Sequence, residues 1–402
     1  MIQLAYLLAL LAGVLAGIFT GLIPGIHVNL IAIFLISLIP FIPFNKIIFL
    51  IFIIAMAITH TFLDFIPSIF LGAPDEDTGL SILPGHQLLN KGKGYHAIIY
   101  TLYGSLIGVL IILLLTPVFI FILPTIYIYL KQAIFLILVF VSIFLISSEK
   151  KSKFLAFIIF FLAGFIGLAT FNSGIQNSLL PLFTGLFGAS SLITSIIKKQ
   201  NIPQQNIDKI REIKITKKQV SNSGIAALLS APLCTFLPSL TSGQAAVIGS
   251  DLIGEKDPVQ FLILLGAINT IIAGLGFVTF YAIQQARTGT ALAVSQLLKS
   301  LTIDHLLIIF AVIIISSILS FFLTIFIGRF GAKNISRFNY KYISIIILLF
   351  LIIIVLFFSG LIGFLIFTTS TATGLIAIIT GIRRTHLMGS LMLPSILLYL
   401  PF

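Results

Sequence analysis

Charge is what this chain has least of. Only 8% of its 402 residues are Asp, Glu, Lys or Arg, against 59% hydrophobic. An ordinary soluble domain carries about a quarter charged residues, so that class is excluded. Cysteine is nearly absent as well: the single Cys234 lies inside an apolar stretch, which rules out an internal disulfide framework. No basic residue precedes Lys46, which argues against a cleaved signal peptide. Missing too are His-Glu-x-x-His, Gly-x-Ser-x-Gly, Walker and paired-acid arrangements, so catalysis is not expected.

What is present is apolar sequence in runs long enough to cross a bilayer, from 3–22 at the start to 386–401 at the end. The pattern predicts separate segments at 117–130 and 132–148, and again at 340–366 and 370–382. The net charge of +12 does not mark a nucleic-acid binder. Its basic residues sit in short loops between apolar runs, as a membrane protein displays its topology. The one long polar stretch, 198–220, is rich in Lys and is expected on the cytoplasmic side, a solvated loop needing no partner. It divides the chain into a membrane repeat at 1–197 and a second at 221–402. The expected fold is all-α, a polytopic protein of the cell membrane with two inverted repeats containing Pro/Gly-broken and re-entrant helices.

The repeats rest on one stretch and its echo. Gly13, Gly17 and Gly21 are four apart and share a helical face, giving a groove that another backbone can approach closely. Pro24 and Gly25 then break the helix, and His27 and Asn29 are the first polar side chains beyond it. In the second half small residues at Ala227, Ala231 and Thr235 lead to Pro238, 214 residues after Pro24, followed by Thr241, Ser242 and Gln244. Thr78 and Thr288, flanked by Asp77 and Arg287, are 210 residues apart. Broken segments at matching places in two halves point to a transporter binding site, where free helix N-termini favour an anion. On that basis Pro24, Gly25, His27, Asn29, Pro74, Thr78, Pro238, Thr241, Ser242, Gln244, Arg287 and Thr288 are the expected substrate-binding residues.

Acidic residues are few enough to weigh one by one. Asp64 follows an uninterrupted apolar run and shares a helical face with His60, four residues earlier. An ionisable pair at that depth is costly and points to function, so Asp64 is the first expected ion-coupling group. Asp75 and Asp77, beside Pro74 and Glu76, are the second. Further ligands with a fixed geometry would be needed for a metal, and none is expected. Nothing in the chain binds nucleotide, so no cofactor is expected beyond H⁺ or Na⁺ as coupling ion. Near the C-terminus, Ser370, Thr371 and Thr373 read as helix-packing hydroxyls, and Arg383, Arg384 and His386 as a membrane-edge anchor.

These motifs together resemble the large permease subunit of the tripartite tricarboxylate transporters, in its stand-alone archaeal form. The resemblance is carried by Gly13, Gly17 and Gly21 with Pro24-Gly25, by Gly72-Ala73-Pro74, by Pro84-Gly85 and Asn90 to Gly94, and by Leu180-Pro181, Gly185 and Gly188. In the second half it is carried by Ala286 to Ala291. It implies a secondary transporter of a small organic anion, a carboxylate, working by ion-coupled alternating access among membrane lipids. A second copy of the chain and accessory subunits stay open as partners. The family's Pro-Gly-x-Gly reads Pro24-Gly25-Ile26-His27 here and Pro238-Ser239-Leu240-Thr241 in the echo. The run from Pro238 through Gly243 to Gly249 also looks like a motif of a bacterial membrane family that returns polyprenyl phosphate across the membrane. The alternative is therefore a lipid-phosphate translocase.

Overall fold

A computed structural model describes residues 2–23, 28, 45–72, 78, 80, 82–175, 178–197, 202–236, 241–254, 257–286, 288–336 and 340–400. Among them every regular element is helical, as it must be where no water can satisfy the backbone of an open strand. Among the described residues eight helical spans are long and apolar enough to cross a membrane.

The elements of the first half begin with α1 (Ile2–Leu22), α2 (Lys46–Leu63), α3 (Phe65–Leu71), α4 (Ile82–Leu89), α5 (Gly94–Ser147) and α6 (Lys153–Asn172). Then come α7 (Leu179–Phe183), a π-helical turn (Thr184–Ala189) and α8 (Ser190–Ile197). The second half holds α9 (Lys217–Phe236), α10 (Ser242–Ile253), α11 (Pro258–Ile283), α12 (Gly289–Leu297), α13 (Ile303–Ile335) and α14 (Tyr340–Thr380). A 3₁₀ turn (Arg384–Met388) and α15 (Gly389–Leu398) close the chain.

The glycine face of α1 does what its spacing predicts. A methyl group on Gly13, Gly17 or Gly21 would collide in turn with Phe52 and Ala55, with Met56 and Thr59, and with Leu63. The contacts advance together, so α1 and α2 run parallel at close range. In the same way α5 runs parallel to α11, with Thr101 against Gly266, Gly108 against Ala267, and Ile112 against Gly274. The helix α13 runs parallel to α2, since Ser320 donates to Thr59 Oγ1 at 3.0 Å and Thr324 to the Phe62 carbonyl at 3.3 Å. By contrast α2 and α11 cross in opposite directions: Thr61 and Thr270 share a hydrogen bond of 3.2 Å, while Asn269 reaches Asp64.

The linker is docked rather than free, which corrects the expectation of a loop without a partner. Gln205 accepts from the Gly94 N–H at 2.7 Å and donates to the Leu89 carbonyl at 3.1 Å. Asp208 pairs with His96 at 2.9 Å. The first turn of α5 and, through Gln219 and Asp257, the start of α11 therefore lie on one face with the linker.

That placement constrains the longest helix. A straight helix of 54 residues would reach about 80 Å. Instead, Ser148 at its far end bonds Arg383, which also reaches Asp251, seven residues before Pro258 at the start of α11. Both ends of α5 thus belong to the linker face, and the chain doubles back between them. The apolar segments 340–366 and 370–382 are divided elsewhere than expected. The break falls at Gly360, whose φ of 62° a side chain would strain, while Ser370, Thr371 and Thr373 sit inside continuous helix. As expected these hydroxyls belong to a packing face: Gly374 beside them lies against Leu186 and Ser190 of the π turn and α8.

Candidate functional site

Between α2 and α3 the helix is interrupted at a single residue, Asp64, which ends one helix and precedes the next. It is 2% exposed, and His60 one turn earlier is 4% exposed. Asn269 Nδ2, from the oppositely directed α11, donates to Asp64 Oδ2 at 2.7 Å. His60 Nε2 stands 3.9 Å from the same oxygen. Thr20 spends its hydroxyl proton on the Gly17 carbonyl, so it accepts from His60 Nδ1 at 3.1 Å. That chain fixes the imidazole with its proton on Nδ1 and its other nitrogen toward the carboxylate. Thr59, Thr61, Thr270 and Ser320 surround the pair with bonded hydroxyls. Asp64 and His60 thus share one buried site, as their four-residue spacing predicts, and Asn269 joins them from the other half.

The second element is α10, only 12 residues and so about 18 Å long, too short to cross alone. Thr241 holds its N-cap position in extended conformation, and its N–H bonds Gln244 Oε1 at 3.0 Å. Cys234 donates to the Thr241 carbonyl, and Ser242 and Gln244 are fully buried. Among the described residues Gln244 Nε2 has no partner. Leu80 covers Gly243, which brings the neighbourhood of the buried Thr78 to this helix start. Thr288 is not brought here. It caps α12 by accepting from the Ala291 N–H, and it packs on Gly276, two turns past Asn269 and away from the linker face. Pro24, Gly25, His27, Asn29, Pro74, Asp75, Asp77, Pro238 and Arg287 lie outside the described residues.

At the linker face the two halves enclose a cavity of about 470 Å³. Its walls come from α4 (Pro84, Gln87), the 148–150 loop, α10 (Val247, Ser250, Asp251), the start of α11 (Pro258, Phe261) and Arg383 to Thr385. Arg383 is fully engaged with acids, 3.4 Å from Glu149 and 3.5 Å from Asp251. His386 donates to Glu149 at 3.1 Å. Burial alone would raise the Glu149 carboxyl. The Lys151 and Arg383 backbone N–H groups, His386 and the Arg383 charge outweigh it and hold the group down to about 2. Burial pushes His386 below its ordinary value, partly offset by Glu149. Arg384 differs: its described partners are neutral, namely Ser191 Oγ at 2.7 Å, the Phe187 carbonyl at 2.6 Å and the Phe187 ring at 5.0 Å. The expectation of a membrane-edge anchor fails for both arginines, which face protein.

The profile of the Tripartite tricarboxylate transporter TctA family matches residues 7–389. The chain belongs to that family. Over 396 residues it is 28% identical to "Uncharacterized protein MJ1079" of Methanocaldococcus jannaschii, covering 94% of each chain. No solved structure matches. A TctA-family chain with eight such helices is a multi-pass permease of the cell membrane, and its family is one of transporters.

Proposed function

We propose that this TctA-family chain is a secondary transporter that moves a small organic anion, a carboxylate, by ion-coupled alternating access between two inverted repeats. The observation that carries the reading is the Asn269–Asp64 hydrogen bond of 2.7 Å. It sets a deeply buried carboxylate, at a helix break, between one helix of each half. Such groups mark ion and proton paths, and broken helices at the repeat interface hold substrate. Helix directions support the repeats: α2 pairs with α13 as α11 pairs with α5, and α2 opposes α11. Asp64 is the coupling group for H⁺ or Na⁺ in this reading, and the start of α10, with Thr241, Ser242 and Gln244, is a substrate station.

The linker face is the cytoplasmic one. Described basic residues gather there, among them Lys91, Lys93, Lys150, Lys151, Arg383 and Arg384, with Lys46 and Lys299 opposite. Because α1 parallels α2, its first residues start on the far, external side. The family match favours a carboxylate over a lipid phosphate. Reconstituted vesicles containing the purified protein test the reading with labelled citrate. Accumulation above equilibrium under an imposed Na⁺ or proton gradient is the expected result. Its absence for citrate, succinate and tartrate under both gradients rejects the reading.

A further inference from the structure

Two neighbouring arginines reach the cytoplasmic cavity, and among the described residues only Arg383 meets acids. Glu149 and Asp251 also stand in its wall, but Arg383 holds both and His386 bonds Glu149. Arg384 is half-buried, and its described bonds run to uncharged oxygens of the π turn and α8: Ser191 Oγ, Ser190 Oγ and the carbonyls of Leu186 and Phe187. A π turn widens the helix and is frequent at functional sites. Here it orients the guanidinium by bonds and by stacking on Phe187 without cancelling its charge. Beside it Thr385 is 3% exposed, and its hydroxyl oxygen and Arg384 Nε have no partner among the described residues. Burial lowers Arg384 to about 9, so it stays protonated at neutral pH. Lys150 adds a second positive group at the rim, and Leu80, Val247 and Phe261 supply apolar wall.

We propose that this cavity is a binding site for a small carboxylate, held by Arg384 and Thr385, and that it is the cytoplasmic station of the transported anion. The proposal rests on the carboxylate-permease reading. A guanidinium that meets no acid among the described residues favours a carboxylate by charge-assisted hydrogen bonding. The volume of about 470 Å³ falls in the range of small-molecule pockets. The cavity also runs along α10 from Asp251 toward Val247, the direction of the buried start of that helix at Thr241.

The test is calorimetric titration of the purified full chain with citrate, inorganic phosphate serving as the comparison anion. Wild type is expected to bind citrate, and Arg384→Gln to bind it roughly tenfold to hundredfold more weakly. Equal citrate affinity in the two proteins, with equal thermal stability, overturns the site while leaving the permease reading intact. A wild type that binds phosphate but no citrate overturns the carboxylate assignment. Should Arg384→Gln fail to fold, Gln87→Cys on a Cys234→Ala background replaces it, because Gln87 is an exposed residue of the cavity wall. Citrate is expected to slow maleimide labelling at Gln87→Cys several-fold. Unchanged labelling at saturating citrate places bound citrate elsewhere and overturns the proposal.

Discussion

Two buried polar clusters join the halves of this permease, and they are closed in different ways. Around Glu149, carboxylates meet an arginine and a histidine from the far end of the chain, and the backbone N–H groups of Lys150, Lys151 and Arg383 complete the acid. Around Asp64, the partners include a neutral amide at 2.7 Å and an imidazole at 3.9 Å. The first arrangement holds one charge state over the whole physiological range. The second, in the proposed reading, places a carboxylate where protonation or a bound cation would change its partners. A cluster satisfied by fixed charge suits fastening, and one satisfied by neutral or titratable groups suits switching.

Breaking the fastening cluster should have the largest effect on stability. Glu149→Gln leaves Arg383 and His386 without their shared acid; breaking a fully buried pair costs about 3–5 kcal/mol, and because Arg383 is 34% exposed and keeps Asp251 the loss here falls toward the low end of that range. A clear fall in the thermal unfolding midpoint in detergent is expected. An unchanged midpoint would make the cluster ornamental and erase the contrast with Asp64.

The next effect is smaller and depends on pH. Glu149 is held at about 2 in the folded protein against 4.5 as its ordinary value. A depressed carboxyl contributes stability that is present above pH 4.5 and lost as pH falls toward 2. His386, also depressed, charges more readily when unfolded, so it too favours the folded state less as pH falls through its ordinary value of 6.5. The stability gap between wild type and Glu149→Gln should therefore narrow below pH 4.5, as followed by denaturant unfolding. A gap that stays constant down to pH 3 contradicts this account of the fastening.

The smallest stability effect belongs to the switching cluster. Asp64→Asn keeps the shape and an acceptor for Asn269, so it should cost about 1 kcal/mol or less. A loss as large as that of Glu149→Gln would show that Asp64 also fastens.

Much of the Asp64 site was legible because its signals are local. An acid after an apolar run, a histidine one turn earlier, and glycines four apart all lie within single helices. Helical spacing alone places them. The polar run at the start of α10, from Thr241 to Gln244, was legible for the same reason. Arg384 was not, since its guanidinium is oriented by Phe187 and Ser191, some 190 residues away, and its sequence neighbours read as an ordinary basic edge. The docking of the linker was hidden likewise: Gln205 and Asp208 look solvated until Gly94 and His96 come to meet them. The break in α14 fell at Gly360 rather than at the hydroxyl cluster near Ser370 because Ser and Thr can return their hydroxyls to the preceding turn. There, Thr371 bonds the Phe367 carbonyl and the helix continues.

The central claim is that the carboxylate between the halves couples an ion to the anion. Gradient-driven and exchange uptake of labelled citrate, compared in vesicles of wild type and Asp64→Asn, tests it most directly. The account predicts that Asp64→Asn loses accumulation driven by the coupling ion while still exchanging external for internal citrate. Undiminished gradient-driven accumulation in Asp64→Asn would contradict it.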